Sequence, residues 1–455
     1  MVFSSLTFLV FFLPLFIFAY FAVPAERVNL RNFVLLIFSL FFYSAGEPVW
    51  FLLIIFSAST DCLIGLFMER HRGKPLATVL LVISLCCSLG LLILFKYTEF
   101  FFGLVGISVT VAPTLPIGIS FYTFQTMSYS VDLYKGNIKA QRNPVAFLTF
   151  VSMFPQLVAG PIIQYKDVEA MLTKRTTTRA MISAGITRFC TGLGKKIIFA
   201  NHAGLVANDL LASPYASALG IWLGSIMFMF QIYFDFSAYS DMAIGLGKII
   251  GFEFKENFNY PYVAKSVTDF WRRWHISLGA FFREYLYIPL GGNRKRAIFN
   301  IMFVWMVTGL WHGASLNFVI WGLYFGVALL IEKYLLRRFL EKLPALVSHV
   351  YLLLVVLYGW VLFYFTDLPE LATASARFFG FGGSLWDYHA LDVLLSNIWI
   401  LPVLAIFSTR QPYRIWEGLK NRLPASEAFF NVAVAGVSFI LLIGQTFNPF
   451  IYFRF

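Results

Sequence analysis

The sequence predicts an all-α polytopic membrane protein, and three observations carry that expectation: the share of apolar residues, their arrangement in long unbroken runs, and the confinement of basic residues to the short segments between runs. Of the 455 residues, 59% are hydrophobic and only 13% charged, which excludes a soluble globular domain. Several runs reach the roughly 18 to 20 residues that cross the hydrocarbon core of a bilayer: 76–95, 301–332 apart from its polar centre, 350–365, and 429–443 with its flanks. The first run, 6–23, has no Lys or Arg before it and no small-residue cleavage site after it, so it reads as a retained helix rather than a signal peptide.

The net charge of +12 would, in a soluble chain, raise nucleic acid as a partner. Here the basic residues lie in short loops, ERHRGK at 69–74 and the segments 166–179, 335–342 and 410–422. The positive-inside rule puts such loops in the cytoplasm, beside anionic lipid. The lipid bilayer is therefore the expected partner, and no nucleic acid. With Arg27 and Arg31 also facing inward, both ends of the chain are expected outside, an N-out and C-out topology. Cys62, Cys86, Cys87 and Cys190 show no C-x-x-C spacing and the six histidines are scattered, so no metal site is expected.

No stretch resembles a soluble domain or a linker, and a single membrane domain, 1–455, is the economical reading. Segments 1–107 and 351–455 are simple apolar helices and look like scaffold. Between them, 116–321 interrupts apolar runs with Pro, Gly, Asp, Asn, His and Arg. Such residues persist at membrane depth only when buried in protein or lining a wet cavity, so the chemistry belongs in this catalytic core.

Three constellations stand out there. The segment 269–295, DFWRRWHISLGAFFREYLYIPLGGNRK, reads as an amphipathic interfacial element, with Trp271, Trp274, Tyr285 and Tyr287 suited to the headgroup level. Its arginines Arg272, Arg273 and Arg283 would anchor it to lipid phosphate or hold the phosphates of an acyl donor, and His275 and Glu284 favour a functional role. The second, TGLWHGASLNFVIWG at 308–322, places His312 near the middle of a run that would otherwise be a plain spanning helix. An ionisable group so placed is a functional candidate, and imidazole is suited to accept a proton from a hydroxyl near neutral pH. Gly309, Gly313 and Gly322 allow close approach of helices or substrate. The third, QIYFDFSAYSDMAIGLG at 231–247, carries Asp235 and Asp241. These either line a passage or proton path, with Tyr239 and Gln156, or fix helices by pairing with Arg or Tyr. Proline-broken stretches at 115–122 and 154–162 read as re-entrant backbone lined by Gln125, Gln156 and Gln164.

These residues resemble the membrane-bound O-acyltransferases, and within them the bacterial alginate O-acetylation branch. The resemblance begins at MVFSS (1–5), runs through LPIGISFYTFQTMSYSVDLYKG, FPQLVAGP, FDFSAYSDMAIGLG and ENFNYPY, and culminates in DFWRRWHISL and GLWHG, with NPFIYFRF at the end. It implies a ring of transmembrane helices around a thin, tunnelled centre with re-entrant and interfacial helices. It also implies that His312 is the family's near-invariant histidine and His275 its second polar residue. By resemblance the chain lies in a bacterial inner membrane and binds no resident cofactor. It takes acetyl groups from acetyl-CoA and passes them to a periplasmic or membrane-tethered acetyltransferase partner, which modifies a polysaccharide.

On that basis His312 is the expected general base and His275 positions donor or acceptor. Arg272, Arg273 and Lys295 are candidates for donor phosphates, and Asn317 or a backbone amide near the glycines for the oxyanion. The sequence leaves open alginate, cellulose or peptidoglycan as the final acceptor. A transporter or flippase of a sugar carrier is the rival from another class, favoured by the broken helices and by Asp235 and Asp241. It leaves both histidine motifs unexplained.

Overall fold

The computed structural model describes residues 2–111, 115–157, 160–213, 215–423 and 425–444, and every regular element among them is helical. In hydrocarbon each backbone N–H and C=O needs an internal partner, which a helix supplies within one segment. Among the described residues six helices are long and apolar enough to span a bilayer, and the bent pair Tyr388–Asn397 and Ile400–Phe407 makes a seventh if it is one span. The chain is thus a multi-pass membrane protein. Residues 445–455, which carry the C-out expectation, lie outside the described residues.

The chain forms two compact units interleaved in sequence, Met1–Gly192 with Tyr239–Glu256 and Leu193–Ala238 with Asn257–Phe455. The first holds α1 (Leu13–Ala22), α2 (Val28–Ser44), α3 (Phe51–Arg70), α4 (Pro75–Leu92), α5 (Ile119–Lys135), α6 (Pro144–Ser152), α7 (Tyr165–Thr173), nearly all of α8 (Arg179–Gly194) and the end of α9 (Ala218–Ile250). Polar side chains knit these helices. Asp61 of α3 accepts hydrogen bonds from Ser84 (2.5 Å) and Ser88 (3.0 Å) of α4, and Ser84 meets Ser130 of α5 at 2.7 Å. Buried Arg175 donates to Tyr20 (2.9 Å) and Asn32 (2.6 Å) and lies over the Phe252 ring. This arginine of the 166–179 loop is therefore a packing residue, not a lipid contact. In the proline-broken stretch, Gly118 opens α5 at φ +76°, and a side chain there would meet the Leu157 carbonyl. Ala159 in the second proline-broken stretch lies outside the described residues.

The second unit contains α10 (Val267–Arg273), α11 (Ile276–Phe282), α12 (Ala297–His312), α13 (Leu316–Ile331), α14 (Ala345–Tyr364) and α15 (Leu368–Phe378). Here the structure corrects the reading of 301–332 as a single spanning run. Helix α12 stops at His312, Gly313 is extended (φ −168°), and Ser315 opens α13. The two helices fold back as an antiparallel hairpin. A side chain at Gly309 would strike the Phe318 carbonyl and one at Gly322 the Trp305 carbonyl, so the expected close approach at these glycines is between helices.

Within 269–295, Trp274 is buried and Trp271 packs edge-on against Trp305, Trp321 and Phe325, so both indoles belong to an aromatic core. Their helix is pinned from a distance. The Glu332 carboxylate, just beyond α13, accepts from the backbone N–H groups of Val267 and Thr268 and from the Thr268 hydroxyl, capping the start of α10 and satisfying its orphan donors.

Candidate active site

The two histidines singled out by sequence meet in the second unit. His312 is the last residue of α12, and its ring stands edge-on to Trp311 (5.0 Å), Trp321 (5.0 Å) and Phe363 (5.3 Å). His275 occupies the break between α10 and α11 and is 2% exposed. Its ring stands edge-on to Phe236 (4.7 Å) and lies 5.8 Å from Trp311. One indole, Trp311, therefore contacts both imidazoles.

His275 is held in a costly conformation. Its backbone is left-handed, φ +46° and ψ 53°, which for a residue with a Cβ costs on the order of 1 kcal/mol and persists only when the surroundings over-determine it. Asn257 does so. Its carbonyl accepts from the Ile276 N–H at 2.9 Å, and its side-chain Oδ1 lies 3.1 Å from His275 Nδ1, 3.2 Å from Ser277 N and 2.9 Å from Ser277 Oγ. Burial first, and then the nearby charge of His312, hold the His275 imidazole well below its ordinary pKa. The ring is therefore neutral, and burial makes it a weaker base than a free imidazole.

The other predicted residues fall elsewhere. Asn317 is fully buried, but its amide donates to the Leu362 (3.2 Å) and Phe363 (3.4 Å) carbonyls, so its N–H groups tie α13 to α14 and are engaged where an oxyanion would need them. Arg272 and Lys295 are exposed, and Arg273 pairs with Asp269 at 2.9 Å. Of the carboxylates, Asp235 forms an ion pair with Lys196 (2.6 Å) that is 3% exposed on both sides. Asp241, in the first unit, pairs with Arg188 at 2.6 Å, and Arg188 reaches Glu256 as well. These pairs agree with the helix-pairing reading of the two aspartates, with Lys196 and Arg188 as partners. Tyr239 stacks on Phe3 (4.5 Å, 14°) and Gln156 donates to the Phe150 carbonyl (2.5 Å). Both belong to the first unit, with Asp241. Among the described residues no His, Cys, Asp and Glu cluster could hold a metal.

The sequence has known counterparts. The model of the membrane-bound O-acyltransferase family matches residues 8–369. The chain belongs to that family. Over their full lengths it is 36% identical to a probable alginate O-acetylase AlgI of Azotobacter vinelandii. It is 32% identical to a peptidoglycan O-acetyltransferase of Helicobacter pylori, covering 84% of this chain and 80% of that one. A teichoic acid D-alanyltransferase of Bacillus subtilis is 32% identical over 46% of this chain and 57% of its own. Membership in that family makes the chain an O-acyltransferase.

Asn257 and Trp311 were not singled out by sequence as site residues of this O-acyltransferase, although Asn257 sits in ENFNYPY and Trp311 in GLWHG. The one available signal was an uncharged amide inside a motif eighteen positions before His275, and nothing in spacing says that it turns back onto the ring.

Proposed function

We propose that this O-acyltransferase takes acetyl groups from acetyl-CoA at the cytoplasmic face and passes them across a bacterial inner membrane for O-acetylation of an exopolysaccharide such as alginate or cellulose. A periplasmic or membrane-tethered acetyltransferase partner makes the final transfer, so the polysaccharide is reached indirectly. The observation that carries the reading is the burial of His275 and His312, drawn from separate helices, around one shared indole. His312 takes the proton of an accepting hydroxyl as its oxygen attacks the thioester carbonyl, and His275 positions donor or acceptor from the cytoplasmic side. Exposed Arg272 and Lys295, with Arg273, are placed to meet the phosphates of the donor from the cytoplasmic side. The loop charges orient the chain N-out and C-out.

The full-length likeness to alginate O-acetylases supports an exopolysaccharide as the end of the path. The likeness to a peptidoglycan O-acetyltransferase favours peptidoglycan as the second reading. A flippase would need neither histidine. His312→Ala should abolish acetylation of the polymer, a loss of at least about 100-fold for a residue that moves the proton, while the protein accumulates in the membrane at the normal level. Normal acetylation in that variant would remove the reading, and acetyl appearing on peptidoglycan instead of exopolysaccharide would move it to the second acceptor.

A further inference from the structure

The segment 410–422, expected as a loop, is a helix. Gln411–Arg422 runs for 12 residues, which makes it about 18 Å long and well short of the roughly 30 Å hydrocarbon core. It lies beyond residues 8–369, the stretch that the family model matches. Both of its ends lead into apolar helices, with Ile400–Phe407 before it and the candidate span Ser426–Gly444 after it. A short, charged helix tied between two such segments lies along the bilayer surface.

Its sequence is two-faced. Pro412, Ile415, Trp416 and Leu419 recur at i, i+3, i+4 and i+7, which stacks them within roughly 100° of the helix circumference. Arg410, Arg414, Glu417 and Asn421 repeat on the opposite side, and Lys420 and Arg422 border the apolar stripe. One edge of the stripe is used. Trp416 packs on Phe430 with ring centroids 4.5 Å apart, and Lys420 pairs with Glu427 at 2.8 Å, so the helix is fixed to the start of the next span at two points. The rest is open, since Ile415 is 72% and Leu419 44% exposed. Arg410, Arg414 and Arg422 are exposed as well, and Glu417 is the one acidic side chain from 410 to 422.

We infer that Gln411–Arg422 is an in-plane anchor that seats Ile415 and Leu419 among lipid acyl chains and docks on anionic phospholipid headgroups. The charge selects this occupant. An apolar stripe alone would suit a protein helix, whereas three exposed arginines against one glutamate suit a surface of negative charge, which the leaflet facing basic loops supplies. Arg422, beside the stripe, meets headgroup phosphate directly, as a guanidinium fork can. Arg410 and Arg414 act through space, across a helix about 10 Å wide, which is about one screening length at 0.1 M salt. The anchor holds whatever group the histidine site transfers.

The test keeps the full chain. In a form whose four cysteines have become alanine, Ile415→Cys, Leu419→Cys, Glu417→Cys and Asn421→Cys each carry a nitroxide, in nanodiscs of phosphatidylcholine with or without phosphatidylglycerol. Paramagnetic relaxation then compares oxygen, which partitions into lipid, with a water-soluble nickel chelate. With phosphatidylglycerol present, the labels at 415 and 419 should meet oxygen and be shielded from nickel, and those at 417 and 421 should show the reverse. Leaving out phosphatidylglycerol, or adding Arg422→Gln in its presence, should shift the labels at 415 and 419 toward the nickel reagent. Nickel reaching all four sites in the anionic discs would overturn the anchor, because the helix would then stand off the bilayer. Shielding of 415 and 419 from both reagents would overturn it too, by showing that protein covers the stripe. A depth unchanged by either the lipid or Arg422→Gln would remove the anionic headgroup as its partner.

Discussion

At His275 burial, and after it the neighbouring His312, hold the imidazole well below its ordinary pKa of 6.5, so that the folded protein keeps the ring neutral where the unfolded chain would protonate it. The sign of the linkage follows. Below pH 6.5 the unfolded state binds a proton that the folded state refuses, so the contribution of this group to stability is intact above 6.5 and is lost as pH falls, by up to about 1.4 kcal/mol per pH unit. Thermal unfolding of the purified chain should therefore fall more steeply between pH 7.5 and 5.5 in wild type than in His275→Gln. Equal slopes would mean that the folded ring titrates normally. His275 and His312 were legible in the sequence because an ionisable residue is conspicuous among apolar neighbours. Asn257 was not, since an amide is common at loops and its effect is exerted eighteen residues away. Asp235 and Asp241 were visible as anomalies, but their partners Lys196 and Arg188 lie 39 and 53 positions upstream, beyond any periodic pattern.

Helices were legible as apolar runs, whereas breaks in them were not. The run 301–332 contains no proline, and hydropathy alone cannot distinguish a spanning helix from a hairpin whose turn holds Gly313, Ala314 and Ser315. What decides is close packing. Gly309 and Gly322 bring the α12 and α13 backbones into contact, and a methyl group at either would strike a carbonyl of the other helix. The same physics hid the fate of Trp271 and Trp274, because an aromatic beside arginine fits an interface and a core equally well until Glu332 fixes the start of α10. Gly322→Ala should destabilise the chain by about 1 to 3 kcal/mol, the usual cost of overpacking, seen as a lower unfolding temperature in detergent. Gly436, in the helix Ser426–Gly444, is the control, because a Cβ there meets nothing within 4 Å. Gly436→Ala should be neutral or slightly stabilising. Equal effects of the two substitutions would show that the hairpin contact is slack.

The orientation of the whole molecule rests on charge, and each unit supplies its own test. In the first, Lys74 closes the ERHRGK loop between α3 and α4, both within candidate spans, and is exposed. In the second, Arg337, Arg338 and Lys342 precede α14, itself a span, whereas Asp367, Glu370, Asp387 and Asp392 follow it with Arg377 as the one arginine among them. The positive-inside rule then sets Lys74 and Lys342 in the cytoplasm and the segment after α14 outside. The segment after α14 is held by hydrogen bonds to the start of α9 and within itself. Leu219 donates its N–H to the Leu385 carbonyl at 3.0 Å, and Asp387 accepts from the Ser217 and Ala390 N–H groups. The Leu385 side chain is 66% exposed, so it can be replaced without disturbing the fold. In a chain whose four cysteines have become alanine, a membrane-impermeant thiol reagent added to spheroplasts should label Leu385→Cys and leave Lys74→Cys and Lys342→Cys untouched until the membrane is opened. Labelling of Lys74→Cys in sealed cells would invert the first unit, and labelling of Lys342→Cys the second, and with it the face from which a cytoplasmic thioester could reach His275 and His312. Agreement of all three sites would place the basic side chains Arg272, Arg273 and Lys295 of the second unit under the same test, since a donor-phosphate role requires them on the side of Lys342.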